Sequence, residues 1–218
     1  MKFLCLHGYQ QSAAIMQSET SFIKNIIKKT VGGEEVSFFY PSAPFPSAPT
    51  PSNEPTFAWW PNDPAAREIE TFQYLSEILD QEGPFDGIVG FSQGGSVGSL
   101  IAAFLERPAS ARPPNFTTTH GSLRLVVSYS GYHEDDERLQ TYYSPKIKTP
   151  ILHFISSTDP VMAEERCFRL VKRCEDPDDR VVVYTGSGFH RVPATKMTAQ
   201  ALSRFLVEVL DSDDELSE

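Results

Sequence analysis

The chain has 218 residues, 40% of them hydrophobic and 22% charged, which suits one domain of ordinary size with an ample core. A formal net charge of −10 argues against nucleic acid as a partner, because neutralising phosphates needs basic patches that this sequence does not carry. Cys5, Cys167 and Cys174 show no Cys-x-x-Cys pairing and read as free thiols of a cytoplasmic protein, and no segment is long and apolar enough to span a bilayer.

In chain order, Lys2 to Leu6 reads as a strand, and His7-Gly8-Tyr9-Gln10-Gln11-Ser12 is the loop leaving it. A helix is expected from about Ser12 to Lys29, with Met16, Phe22, Ile23, Ile26 and Ile27 on its apolar side, followed by a strand from Val36 to Tyr40. The chain then changes character. Eight prolines between Pro41 and Pro64 exclude regular helix and break up any strand. Phe45, Phe57, Trp59 and Trp60 punctuate this segment, which reads as a cover over a site. Its tryptophans either offer an apolar surface to a substrate or anchor the loop to the body.

Ala65 to Leu79 is an amphipathic helix with Ile69, Phe72, Leu75 and Leu79 facing inward. Phe85 to Val89 is a short apolar strand, and Gly95 to Leu105 carries apolar residues at helical spacing. Between them lies Gly90-Phe91-Ser92-Gln93-Gly94. A Gly-x-Ser-x-Gly between strand and helix forces a tight turn that lifts the serine above the sheet, and side chains at either glycine would collide with neighbouring backbone. Ser92 is therefore the candidate nucleophile.

A serine hydroxyl needs a general base, usually a histidine oriented by a carboxylate, in the chain order Ser, Asp or Glu, His. After the polar loop from Arg107 to His120 and a strand from Leu123 to Tyr129, a strand from Pro150 to Ile155 leads into Ser156-Ser157-Thr158-Asp159-Pro160. Following a helix near Ala163 to Lys172, the strand from Arg180 to Tyr184 leads into a glycine-rich loop ending at His190. Asp159 and His190 thus leave the same sheet edge as Ser92, where catalytic groups gather in open α/β sheets. The other histidines fit less well: His7 lies upstream of Ser92, His153 is inside a strand, His133 has no later carboxylate-then-histidine order, and His120 sits in a polar loop. The backbone N–H of Gln93, at a helix start, and that of Tyr9, with Gln10 as the alternative, are candidate donors to a developing oxyanion. A plain turn capped by Ser12 is the competing reading of the Tyr9 loop. A last helix runs from Thr195 to Leu210, and the acidic residues 211–218 are expected to be a disordered tail beyond a single domain of residues 1–210. Alternating strands and helices mean a mostly parallel, doubly wound sheet. Neither a metal-ligand cluster nor a glycine-rich phosphate loop is present, so no metal and no cofactor is expected.

These motifs resemble the FSH-type family of serine hydrolases, a branch of the α/β-hydrolases. The similarity runs from Leu4-Cys5-Leu6-His7-Gly8 through Trp59-Trp60, the Gly90 to Gly95 elbow and Ser128-Tyr129-Ser130-Gly131-Tyr132 to Gly188-Phe189-His190-Arg191-Val192-Pro193. The resemblance implies an α/β-hydrolase fold and an esterase or thioesterase with an apolar acyl pocket, its triad falling on Ser92, Asp159 and His190. Some relatives release polyketide chains from a carrier-protein thioester in secondary metabolism, which implies an acyl carrier protein as a partner. Two other outcomes stay open: an acyltransferase using the same nucleophile, and a non-catalytic partner of a biosynthetic enzyme. Trp59, Trp60, Tyr132 and Phe189 are the expected pocket walls. Phe189, where relatives often carry glycine, would narrow that pocket or change its leaving-group side.

Overall fold

The computed structural model describes residues 1–32, 35–51, 53–60, 67–186 and 188–215. Residues 61–64 of the expected loop, residues 65 and 66 of the expected helix, Ser187 and residues 216–218 lie outside the described residues.

Strand β1 (Lys2–Leu6) is followed by helices α1 (Ala13–Glu19) and α2 (Ser21–Val31), then by β2 (Ser37–Phe39). Where one helix was expected there are two. Thr20 sits between them at φ −93° and ψ 7°, its hydroxyl donating to the Met16 carbonyl at 2.6 Å. That bond competes with the regular ladder, and a threonine used in this way bends a helix without any glycine or proline.

The Pro-rich segment also departs from expectation, since it contains an antiparallel pair, β3 (Phe45–Ser47) and β4 (Thr56–Ala58). Pro46 lies opposite Phe57, whose N–H donates instead to the Gln11 carbonyl at 2.7 Å. Phe57 thus faces its backbone polar groups away from β3, so Pro46 and Phe57 form a pair that exchanges no ladder bonds and the absent proline N–H is not missed.

Helix α3 (Arg67–Glu82), β5 (Gly87–Phe91), α4 (Gln93–Leu105), β6 (Leu125–Tyr129), β7 (Ile151–Ser156), α5 (Glu164–Val171), β8 (Val181–Tyr184) and α6 (Lys196–Glu215) complete the described chain. Helix α6 runs five residues past Leu210, to Glu215, into the stretch where the sequence reading places the acidic tail. Asp211 to Glu215 contains neither glycine nor proline to break the helix, although carboxylates at a helix C-terminus oppose its dipole.

The main sheet has the order β2-β1-β5-β6-β7-β8, with every pair parallel. Period-two alternation divides the core. Leu4, Leu6, Ile88 and Val126 face one layer with α3 and α4, while Phe3, Cys5, Val89 and Val127 face the other with α2 and α6. All thirteen residues of α4 are buried, which fixes the helix that begins at the elbow. Strand order reverses between β1 and β5, so the loops leaving these two strands flank the switch point where parallel sheets bind ligands.

Candidate active site

The elbow follows from packing. A Cβ on Gly90 would lie 2.4 Å from the Gly94 carbonyl oxygen, and one on Gly94 would lie 2.1 Å from that of Leu6. Only glycine lets β5 turn this sharply into α4 while α4 presses on β1. Ser92 bears the remaining strain, at φ 51° and ψ −119°, a conformation non-glycine residues avoid at a cost of roughly 1–3 kcal/mol. Its N–H donates to the Tyr129 carbonyl at 2.7 Å, which ties the elbow to β6.

The structure brings Ser92, Asp159 and His190 together. The His190 Nδ1 lies 2.6 Å from Asp159 Oδ2, and its Nε2 lies 2.8 Å from Ser92 Oγ. An ionised carboxylate only accepts, so Nδ1 carries the proton and the bare Nε2 accepts from the serine hydroxyl. The Phe91 ring packs on the imidazole with centroids 4.7 Å apart. Asp159 is held by more than the histidine. Its Oδ1 accepts from the N–H groups of Val161 and Met162, both at 2.9 Å, and Oδ2 also accepts from the Ser130 hydroxyl at 3.2 Å. Burial would raise its pKa, but the His190 bond and the two backbone donors outweigh burial and hold the carboxyl below its ordinary value. Ser130, itself at φ 50°, was not singled out from sequence for this role.

A second network shapes the β1 loop. His7 is fully buried; its Nδ1 donates to the Gly8 carbonyl at 2.7 Å, and its Nε2 accepts from the Ala43 N–H at 2.9 Å. Burial pushes its pKa down to about 4, so the ring stays neutral in this one tautomer. Because a trans peptide points N–H opposite to C=O, pinning the Gly8 oxygen also aims the Tyr9 N–H. Among the described residues, neither the Tyr9 nor the Gln93 N–H donates to a protein acceptor. Ser12 does cap α1, accepting from the Ile15 N–H at 3.4 Å, so the turn reading and the donor reading coexist in one loop.

Trp59 is fully buried. Its indole Nε1 donates to the His7 carbonyl and its backbone N–H to Gln93 Oε1, both at 2.8 Å, so it anchors the loop rather than walling a pocket. Trp60, whose Nε1 donates to Glu134 Oε1 at 2.8 Å, borders a cavity of about 230 Å³ together with Tyr9, Gln10, Phe45, Pro46 and Ala58. Of the four expected wall residues it alone does so. Tyr132 packs with Ile155, Met162 and Cys167 under the Arg166 guanidinium, which sits 4.3 Å from its ring centre. Phe189 is 66% exposed, its ring beside Arg191, and does not narrow that cavity. The rejected histidines have structural work: His153 is buried in β7, and His120 Nε2 accepts from the Phe85 N–H at 2.8 Å.

The serine hydrolase (FSH1) family matches residues 1–202. The chain belongs to that family. It is 26% identical to a Schizosaccharomyces pombe protein named dihydrofolate reductase, the match covering 94% of this chain but 47% of that one, so the chain spans about half the length of this relative. With esterase OVCA2 of Bos taurus it shares 26% identity over 97% of both chains. The crystal structure of Arabidopsis thaliana SOBER1 matches 96% of this chain with a TM-score of 0.65 at 19% identity, a likeness of fold. The FSH1 member described here thus has the α/β-hydrolase architecture, and its family performs serine-dependent hydrolysis.

Proposed function

We propose that this protein hydrolyses carboxylic esters or thioesters through an acyl-enzyme on Ser92. The observation that carries the reading is the continuous hydrogen-bonded line from Asp159 through His190 to Ser92, at 2.6 and 2.8 Å. His190 removes the serine proton as Oγ attacks the acyl carbon, and Asp159 stabilises the imidazolium that forms. The Gln93 N–H, at the start of α4, and the Tyr9 N–H receive the negative oxygen. His190 then protonates the leaving alkoxide or thiolate. Water, deprotonated by the same imidazole, attacks the acyl-enzyme and frees the acid.

The lining of the cavity bordered by Tyr9 and Trp60 does not include Ser92; the cavity is taken as the acyl site in this reading because Tyr9 also supplies the proposed oxyanion donor. At about 230 Å³ it falls below the roughly 300–1,000 Å³ of sites for drug-sized ligands, which favours short acyl groups. A carrier-protein thioester of a short acyl chain would fit the same chemistry. A panel of p-nitrophenyl esters and acyl thioesters of rising chain length, with fluorophosphonate labelling, tests the proposal. Turnover that peaks at short chains, with label on Ser92 alone, is expected. Turnover or labelling that persists in Ser92→Ala would overturn it.

A further inference from the structure

The β1 loop carries a clamp that the proposed mechanism has not used. Gln11 grips Gly8 at both ends of its backbone: Oε1 accepts the Gly8 N–H at 2.9 Å, and the Gln11 N–H donates to the Gly8 carbonyl at 3.3 Å. The other end of the Gln11 side chain donates from Nε2 to both oxygens of Glu19, each at 3.2 Å. Gln11 and Glu19 lie on different elements, the loop and the last residue of α1.

The polarity of this relay is fixed by chemistry. The Gly8 N–H can only donate and an ionised Glu19 can only accept, so the Gln11 amide has one orientation that satisfies both. Flipping it would set carbonyl against carboxylate and amino group against N–H. The loop between the clamped residues is strained, with Gln10 at φ 55°, and such a conformation persists only where the surroundings hold it. Glu19 is also within electrostatic reach of the site. Burial raises its carboxyl pKa, while the Gln11 bond and the positive charge of Arg191, or of His190 once its imidazolium forms, act in the opposite direction.

We propose that Glu19 is a positioning residue: acting through Gln11, it holds the Gly8–Tyr9 peptide in the geometry that lets the Tyr9 N–H meet the developing oxyanion. The catalytic half of this inference rests on the proposed ester hydrolysis; the clamp itself does not. Two readouts keep them apart. The first is amide hydrogen exchange of a peptide covering residues 7–12 in the wild type, Glu19→Ala, Glu19→Gln and Gln11→Ala. Faster exchange is expected in both alanine variants. Near-wild-type exchange is expected in Glu19→Gln, whose amide oxygen still accepts from Gln11. Unchanged exchange in both alanine variants would overturn the clamp, whatever the enzyme's activity.

The second readout is kinetics on the best ester of the panel. Complete loss of an oxyanion donor costs about 10²- to 10³-fold, so a misaimed donor in Glu19→Ala should lower kcat about tenfold with KM within twofold. Glu19→Gln should recover most of that loss, and the Gln11→Ala/Glu19→Ala pair should be no worse than Gln11→Ala alone, because one relay is cut in either case. A loosened loop with kcat unchanged would overturn the positioning role. So would a loss confined to KM, or full additivity in the double variant.

Discussion

The two shoulders of the site are built on different principles. On one side, Ser92, Asp159 and His190 project from loops leaving β5, β7 and β8, adjacent or near-adjacent strands whose parallel register fixes where each loop begins. On the other, the Tyr9 loop and the Pro-rich segment are held by side chains reaching across long stretches of sequence. His7 meets Ala43, Trp59 meets His7 and Gln93, and Trp60 meets Glu134, at separations of 36, 52, 34 and 74 residues. A strand-held group is placed by the whole sheet, so removing one side chain there deletes chemistry and leaves shape. A tether-held loop is placed by a few hydrogen bonds, so removing one should alter shape and chemistry together.

The largest effect tests the first half of that contrast. Ser92→Ala and His190→Ala should each lower kcat/KM by about 10⁴-fold or more while cooperative unfolding persists. Ser92→Ala keeps the elbow glycines and the backbone bond to Tyr129, so its melting temperature should stay within a few degrees of the wild type. A variant that lost activity by unfolding would break the comparison.

The tethered shoulder should respond to acid. His7 is held neutral when folded, at about 4, against an ordinary value near 6.5. The unfolded chain therefore binds the extra proton first as pH falls, and stability drops from about pH 6.5 down towards pH 4, below which the penalty is complete. The full shift corresponds to on the order of 3 kcal/mol. His153, pushed down to about 3 by burial, adds a loss of the same sign over a window that extends lower. Urea unfolding of the wild type and His7→Asn at pH 7 and pH 5 separates the two. The variant should be less stable at pH 7 but should lose less on acidification, and parallel losses would refute the assignment to His7.

Trp59→Phe is a smaller perturbation of the same shoulder. It keeps the ring in the core and deletes the N–H that reaches the His7 carbonyl, leaving that buried oxygen without this donor. A cost of about 1–2 kcal/mol in urea unfolding is expected, with a several-fold fall in kcat because His7 also sets the Gly8 oxygen. If stability falls and kcat does not, the tether serves the core alone.

The same contrast explains what could be read from the sequence. The central strands are short apolar runs bounded by turn residues, and the elbow has fixed spacing, so the shared edge of Ser92, Asp159 and His190 followed from local pattern. The break at Thr20 carries no glycine or proline, and a threonine hydroxyl bonding back four residues leaves no mark in periodicity. Pro46 concealed a strand because its missing N–H matters only where a facing carbonyl would need it, and Phe57 turns its backbone polar groups away from β3, its N–H donating to Gln11. Trp59 and Trp60 left two uses open because aromatic content does not say where an indole N–H will point. The Gln11–Glu19 relay needs α1 folded back beside the loop, which is tertiary information. The acidic charge past Leu210 suggested fraying, whereas the backbone of α6 runs on to Glu215.

Phe189→Ala should have the smallest effect and sharpens the comparison from the other direction. Phe189 immediately precedes His190, yet 66% of it is exposed and its ring lies beside the Arg191 guanidinium, 5.4 Å from the ring centre. An exposed cation–aromatic contact contributes about 0.5–1 kcal/mol, and the imidazole is braced by Phe91 and Asp159 rather than by this ring. Stability should therefore fall by less than about 1 kcal/mol, with kcat on a short ester within twofold of the wild type. Proximity in sequence to His190 would then count for less than distant tethers such as Trp59. A tenfold loss of kcat would show that the His190 loop, like the Tyr9 loop, depends on its own side chains for its shape.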